Sequence, residues 1–82
     1  MKELQYLSLY HNNISNIDIL ENVNFKELKE LELYNNNISD IKVLEKVKFE
    51  KLEILILAEN IIDYNKYSFI IGILESKLYL IY

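Results

Sequence analysis

Apolar and polar positions recur along this chain with a period of 24 residues. The recurring apolar residues are Leu4, Leu28 and Leu52, then Leu7, Leu31 and Leu55, then Leu9, Leu33 and Leu57, and finally Ile14, Ile38 and Ile62. One polar position recurs with them, at Asn12, Asn36 and Asn60. A fixed period of this size is typical of a solenoid, whose coils bury their apolar side chains only against neighbouring coils.

The middle repeat shows which elements one coil contains. Leu31 and Leu33 alternate with polar residues, which predicts a half-buried strand. The run 35–37 is all asparagine and ends the strand, because asparagine favours turns. Asp40 can then cap a short helix. The apolar stripe of that helix is Ile41, Leu44 and Val47, and it repeats Ile17, Leu20 and Val23, which favours a core stripe over a lipid-binding one.

The recurring asparagine predicts a structural ladder along the solenoid axis. An asparagine amide both donates and accepts, so at a turn it can bond the backbone groups that neighbouring coils leave open. The ladder residues are Asn12, Asn36 and Asn60.

These residues resemble the leucine-rich repeat family, whose pattern is L-x-x-L-x-L-x-x-N-x-I/L. The tail of the second repeat, 37–44, is similar to that of the SDS22-like proteins and bacterial internalins. The resemblance implies an α/β solenoid with short parallel strands on a concave face and short helices or 3-10 turns on a convex face. It also implies protein binding as the usual role. The repeats are longer than usual for that subclass around 47–50, and Ile19 and Val43 stand where proline is frequent.

The chain 1–82 is expected to be a single domain of repeats at about 1–24, 25–48 and 49–72, with a degenerate fourth strand within 73–82. The segment 64–74 is interpreted as a degenerate convex helix. Leu78, Leu80 and Tyr82 alternate again, as in a strand whose spacing is one residue short. Two accounts of the ends stay open: a piece of a longer array, which we favour, or self-association through uncapped strand edges.

Composition narrows the class of partner. The net charge of −4 and the pI of about 4.9 disfavour nucleic acid, whose binding rests on basic side chains. The chain has no cysteine, so disulfides and thiolate metal sites are excluded. No apolar run predicts membrane insertion or a signal peptide. A cytoplasmic location is therefore expected if Met1 is the natural start.

Strand residues that alternate with the core leucines are expected to face the concave side. The predicted protein-binding residues are Tyr6, Ser8, Tyr10, Glu30, Glu32, Tyr34, Asn35, Ile54, Ile56 and Glu59. The tyrosines suit interface anchors, and the glutamates would favour a partner with a basic surface. The alternative is that these are ordinary solvated strand residues. Ile54 and Ile56 either extend the patch or are covered by the C-terminal tail, and we favour the tail.

Catalytic and metal-binding interpretations are weaker. Glu30 and Glu32 share a strand face, but acid–base chemistry needs a pocket that shifts one pKa. His11, the one histidine, is three positions from Ser8 on an extended segment, so the two side chains should point to opposite faces. The acidic residues Asp18, Asp40 and Asp63 are interpreted as turn or capping residues. We therefore expect no enzyme, cofactor or metal, but a protein-interaction module, or alternatively a structural spacer or cap of a larger repeat protein.

Overall fold

The computed structural model describes residues 3–23, 25–47 and 49–82, and it contains four short strands. They are β1 (Tyr6–Ser8), β2 (Glu30–Glu32), β3 (Ile54–Ile56) and β4 (Tyr79–Ile81). All pair in parallel, in the order β1-β2-β3-β4. Parallel neighbours in chain order require a crossover after each strand, so each repeat forms one coil of the stack. The prediction of an α/β repeat solenoid is confirmed.

The register of the sheet follows the sequence period. Leu7 lies opposite Leu31, and Leu31 lies opposite Leu55. The fourth strand adds one residue to the step, because Leu55 lies opposite Leu80. The alternation at the end of the chain therefore does belong to a fourth strand, and Leu80 takes the position of the central core leucine.

The connections on the other side of the coils differ in kind. The first two are 3-10 turns, Asp18–Asn22 and Lys42–Glu45, and the third is helix α1 (Ser68–Lys77). The helix begins four residues later and ends three residues later than the predicted 64–74. Residues 73–77 are consequently helical and not part of the final strand. Lys48, in the segment of predicted extra length, lies outside the described residues, as do Met1, Lys2 and Asn24.

Side-chain oxygens fix the start of each connection. The Oδ1 of Asp40 accepts from the backbone N–H of Lys42 at 2.9 Å, as its predicted capping role requires. The Oδ1 of Asp63 likewise accepts from the N–H of Asn65 at 3.0 Å. In the first repeat this acceptor is Asn16, bonded to the N–H of Asp18 at 2.8 Å. Asn16 occupies the position equivalent to Asp40, and Asp18 is the first residue of the 3-10 turn, which agrees with its interpretation as a turn residue and not as the cap.

The core runs through the stack between the sheet and the connections. The central strand leucines Leu31 and Leu55 are fully buried, whereas their strand neighbours are half-exposed. The helical stripe also packs inward, as predicted. Its buried members are Ile17, Leu20, Ile41 and Leu44, and its half-buried members are Val23 and Val47. The rings of Phe25 and Phe49 stack at 6.3 Å between neighbouring coils.

Asn36 joins the first two coils through its buried amide. Its Oδ1 accepts from the N–H groups of Asn12 and Ile14, both at 2.9 Å. Its Nδ2 donates to the carbonyls of Leu9 at 2.9 Å and Leu33 at 3.0 Å. The side chain is 6% exposed, so these bonds satisfy polar groups that would otherwise be buried without partners.

Asn60 repeats this arrangement between the second and third coils. Its Oδ1 accepts from the N–H of Ile38 at 3.0 Å, and its Nδ2 donates to the carbonyls of Leu33 and Leu57 at 2.9 Å. The carbonyl of Leu33 thus accepts from both Asn36 and Asn60, which links the three coils. Asn12 is exposed, and its Nδ2 donates locally to the carbonyl of Tyr10.

Candidate protein-binding surface

The sheet face that points away from the core carries two rows of side chains that cross the strands. The first row is Tyr6, Glu30, Ile54 and Tyr79, and the second is Ser8, Glu32, Ile56 and Ile81. Neighbours within a row are about 4.8 Å apart, the spacing of paired strands. We call this surface the sheet face. Its chemistry changes from hydroxyl groups on β1 to carboxylates on β2 and to mainly apolar groups on β3 and β4.

Exposed tyrosines surround the carboxylates. Tyr6 is 65% exposed at one edge of the sheet, and Tyr79 is 67% exposed at the other. Tyr10 and Tyr34 follow β1 and β2 by two residues, and both are exposed. Large rings in solvent have apolar area to bury and a hydroxyl to bond, which suits them to contacts with another molecule.

One carboxylate of the pair, that of Glu32, is held by a neighbouring strand. The hydroxyl of Ser8 donates to Oε1 of Glu32 at 2.6 Å, which orients this carboxylate toward β1. Within 3–23, 25–47 and 49–82 the ion pair is Lys51 with Glu27, at 3.0 Å, and it includes neither Glu30 nor Glu32. The described lysines therefore do not neutralise the charge of the sheet face.

Two predicted binding positions, and the equivalent residue of the first repeat, lie in turns rather than on strands. His11, Asn35 and Glu59 follow the strand ends, and all adopt the left-handed region, with φ of 58°, 59° and 61°. Asn35 and Glu59 are therefore at the rim of the sheet face and not on it. The 24-residue spacing shows that the three residues are equivalent, but it does not show that their backbones are left-handed.

His11 and Ser8 each hydrogen-bond a different residue of the second repeat. Nδ1 of His11 is 2.7 Å from Nδ2 of Asn35, whereas the hydroxyl of Ser8 bonds Glu32. The described residues contain no group of three His, Cys, Asp or Glu side chains that could hold a metal ion. The arrangement offers hydrogen bonding, charge and apolar contact, which are the means of binding a partner.

The C-terminal tail lies beside Ile54 and Ile56 and does not lie across them. Strand β4 pairs with β3 in the plane of the sheet, so Tyr79 and Ile81 continue the two rows. Ile54, Ile56 and Ile81 are all half-exposed. The preferred prediction that the tail covers the isoleucines is wrong, because the tail satisfies the hydrogen bonds of the strand edge instead. Tyr79 and Ile81 therefore belong to the sheet face, although they were not among the predicted binding residues. The alternation of apolar residues in the tail was the signal that could have identified them.

Tyrosine hydroxyls fix α1 and the tail to the rest of the chain. Tyr82 donates to Oε2 of Glu75 at 2.7 Å, and this carboxylate raises the pKa of Tyr82 above its usual value. Tyr67 donates to Oδ1 of Asp40 at 3.1 Å. Together with the N–H of Lys42, which is the larger cause, that bond lowers the pKa of Asp40.

A groove on the other side of the molecule is a second concave surface. It lies between the Lys42–Glu45 turn and α1 and has a volume of about 750 Å³. Its walls are mainly apolar, and Phe69, which is 73% exposed, stands at its margin. The sequence period did not indicate this groove, because it arises where α1 replaces the third 3-10 turn. None of the described helices has the length and apolarity needed to cross a membrane.

Comparison with protein families adds to this geometry. Residues 2–46, more than half of the chain, match the family model described as Leucine Rich repeats (2 copies). The chain belongs to the leucine-rich repeat family. Leucine-rich repeat domains generally mediate protein–protein interaction and are typically not enzymes. Searches of curated proteins and of solved structures find no match. In a leucine-rich repeat solenoid the sheet face is the concave face.

Proposed function

We propose that this leucine-rich repeat domain binds another protein through its sheet face. The observation that supports this most is the half-exposed pair of carboxylates, Glu30 and Glu32, which lies among exposed tyrosines. A partner with a basic surface would bring complementary charge and would associate faster at low salt. Tyrosine rings supply area at little entropic cost, which is why they are enriched among residues that dominate binding.

Several narrower statements belong to the same proposal. The domain is not an enzyme, and it binds neither nucleic acid nor a cofactor. It is located in the cytoplasm and belongs to the SDS22-like and internalin subclass. The less favoured of the two accounts of the ends, self-association through strand edges, is kept as an alternative to a piece of a longer array. Leu7 and Leu9 are half-exposed, whereas the equivalent Leu31 and Leu33 are buried, so the first coil has apolar area to offer. Sedimentation over a range of concentrations tests self-association. The mass of a single chain at every concentration would contradict it.

The test of the main proposal is a comparative capture from source-cell lysate, with bound proteins identified by mass spectrometry. The chain is compared with a Glu30→Lys/Tyr34→Ala variant of the sheet face. A matched control, Glu45→Lys/Phe69→Ala, makes the same change of charge and removes one exposed ring at the groove. Circular dichroism must first establish that all three proteins are folded.

A protein retained by the chain and by the groove control, but lost with the sheet-face variant, supports the proposal. Loss with the groove control alone would contradict it and would move the binding site to the groove beside α1. Equal capture by all three proteins would also contradict it, and would favour the alternative of a structural spacer.

A further inference from the structure

The sheet face changes its chemistry stepwise from strand to strand, and this order defines a complementary ligand. The inference rests on the proposed function and makes it more specific. On β2 the exposed groups are carboxylates, and on β3 and β4 they are isoleucines beside one tyrosine. A partner segment that crosses the strands therefore meets negative charge first and apolar surface next, or the reverse.

The acidic position favours arginine over lysine. Glu30 and Glu32 are two residues apart on one strand, so their Cα atoms are separated by about 6.7 Å. A planar guanidinium has five N–H donors and can bridge two carboxylates across such a gap, whereas an ammonium is a point charge. Tyr34, two residues farther along the chain, offers a ring face against which a guanidinium can stack.

The apolar position is built by two neighbouring strands. Ile54 and Ile56 come from β3, and Ile81 from β4, and all three are half-exposed. Adjacent half-exposed isoleucines gain from burial under another apolar side chain. Tyr79, 67% exposed at the outer edge, can close over that side chain.

The distance between the two positions sets the spacing in the ligand. Strand β3 is about 4.8 Å from β2 and β4 is about 9.6 Å from it, so the midpoint of Ile56 and Ile81, measured across the strands, lies about 7.2 Å from the carboxylates. In an extended segment, side chains two residues apart point to the same side and are about 6.7 Å apart. Adjacent residues point to opposite sides, so they cannot reach both positions.

We propose that the sheet face recognises an extended protein segment in which arginine and a large apolar residue are separated by one residue. The arginine lies between Glu30 and Glu32, and the apolar side chain lies over Ile56 and Ile81. Ser8 acts as a positioning residue, because its hydroxyl holds Glu32 in place.

Selection of random linear peptides displayed on phage, against the full folded chain, tests this directly. Selected peptides are re-tested on Glu30→Gln/Glu32→Gln, on Ile56→Ser, and on the groove control Glu45→Gln/Glu50→Gln, which makes the same change of charge. The best peptide is then synthesised with arginine changed to lysine or glutamine, and with the intervening residue deleted. Affinities are measured by fluorescence polarisation.

We expect enrichment of arginine and an apolar residue at a separation of two. Arginine-to-glutamine substitution and deletion of the spacer should each weaken binding at least about tenfold, and arginine-to-lysine by a smaller factor. Glu30→Gln/Glu32→Gln and Ile56→Ser should weaken it similarly, and the groove control should not.

Other outcomes separate this inference from the proposed function. Peptides that need the sheet face but lack the arginine spacing would overturn the motif and leave sheet-face binding intact. Peptides lost only with the groove control would overturn both. If no peptide is selected, the motif is overturned, and the lysate capture alone decides whether the sheet face binds protein.

Discussion

The hydrogen bonds of the asparagine ladder should contribute a large share of the stability of this small domain. Asn36 is the buried member of the ladder, and Asn36→Ala measures its contribution. The substitution removes four hydrogen bonds of 3.0 Å or less, three of them to the preceding coil. Because alanine cannot replace either function of the amide, the backbone groups of Leu9, Asn12 and Ile14 lose their partner. At a net value of about 1 kcal/mol for each bond, the free energy of unfolding falls by about 3–4 kcal/mol.

The same position in the other repeats provides matched controls. Asn60 makes three bonds of 3.0 Å or less, so Asn60→Ala should cost about 2–3 kcal/mol. Asn12 is exposed and makes one local bond, so Asn12→Ala should cost less than about 0.5 kcal/mol. A domain of this size typically has a total stability of about 4–12 kcal/mol, so the first loss is a large fraction of it.

Urea unfolding followed by circular dichroism gives these values, if a shared slope describes all the variants. A variant that is unfolded without urea is brought into range with trimethylamine oxide, which favours the compact state. The predicted order of destabilisation is Asn36, then Asn60, then Asn12. If Asn36→Ala costs no more than Asn12→Ala, the ladder does not join the coils and the reasoning is refuted.

Three further predictions test separate parts of the fold. Glu59→Asn should raise the free energy of unfolding by about 1 kcal/mol, because asparagine tolerates the left-handed backbone at φ 61° better than glutamate does. Glu59→Gln should leave the free energy of unfolding nearly unchanged. Equal effects of the two substitutions in urea unfolding would contradict this. The pKa of Asp40 is lowered in the folded state, so its carboxylate stabilises the fold above pH 3.8, and this effect is lost as the pH falls through the folded-state pKa. Tyr67→Phe removes one of the bonds that lower this pKa and should therefore raise it, as measured by NMR titration of the carboxyl group. An unchanged pKa would argue against the bond. Leu31→Ala should cost about 2–5 kcal/mol, and Leu7→Ala less because Leu7 is only half-buried; similar losses on heating would contradict the burial.

The sequence was sufficient for the repeated part of the fold. Leu7, Leu31 and Leu55 occupy equivalent positions in the sheet because a 24-residue period places the same side chain in the same part of each coil. The same argument placed Glu30 and Glu32 on the outer face, since alternation is fixed once Leu31 is in the core.

The sequence was insufficient where the repeat ends or where the backbone is unusual. Helix α1 runs to Lys77, three residues beyond Leu74, its last buried residue, so the apolar pattern does not show where the helix ends. The sequence allowed the tail either to pair with β3 as a further strand or to cover Ile54. The tail pairs with β3, because pairing satisfies the backbone hydrogen-bonding groups at the edge of that strand. The left-handed turn at Glu59 was hidden, because glutamate is not a residue that signals a positive φ.

Photo-crosslinking from defined positions tests the central claim most directly. Benzoylphenylalanine replaces Tyr34 on the rim of the sheet face in one protein and Phe69 at the groove in another, and each is irradiated with the captured partner. Phe69 is 73% exposed and Tyr34 only 40%, so random collisions would favour the groove position. Binding by the sheet face predicts a strong adduct from position 34 and little from position 69. The reverse pattern would contradict it.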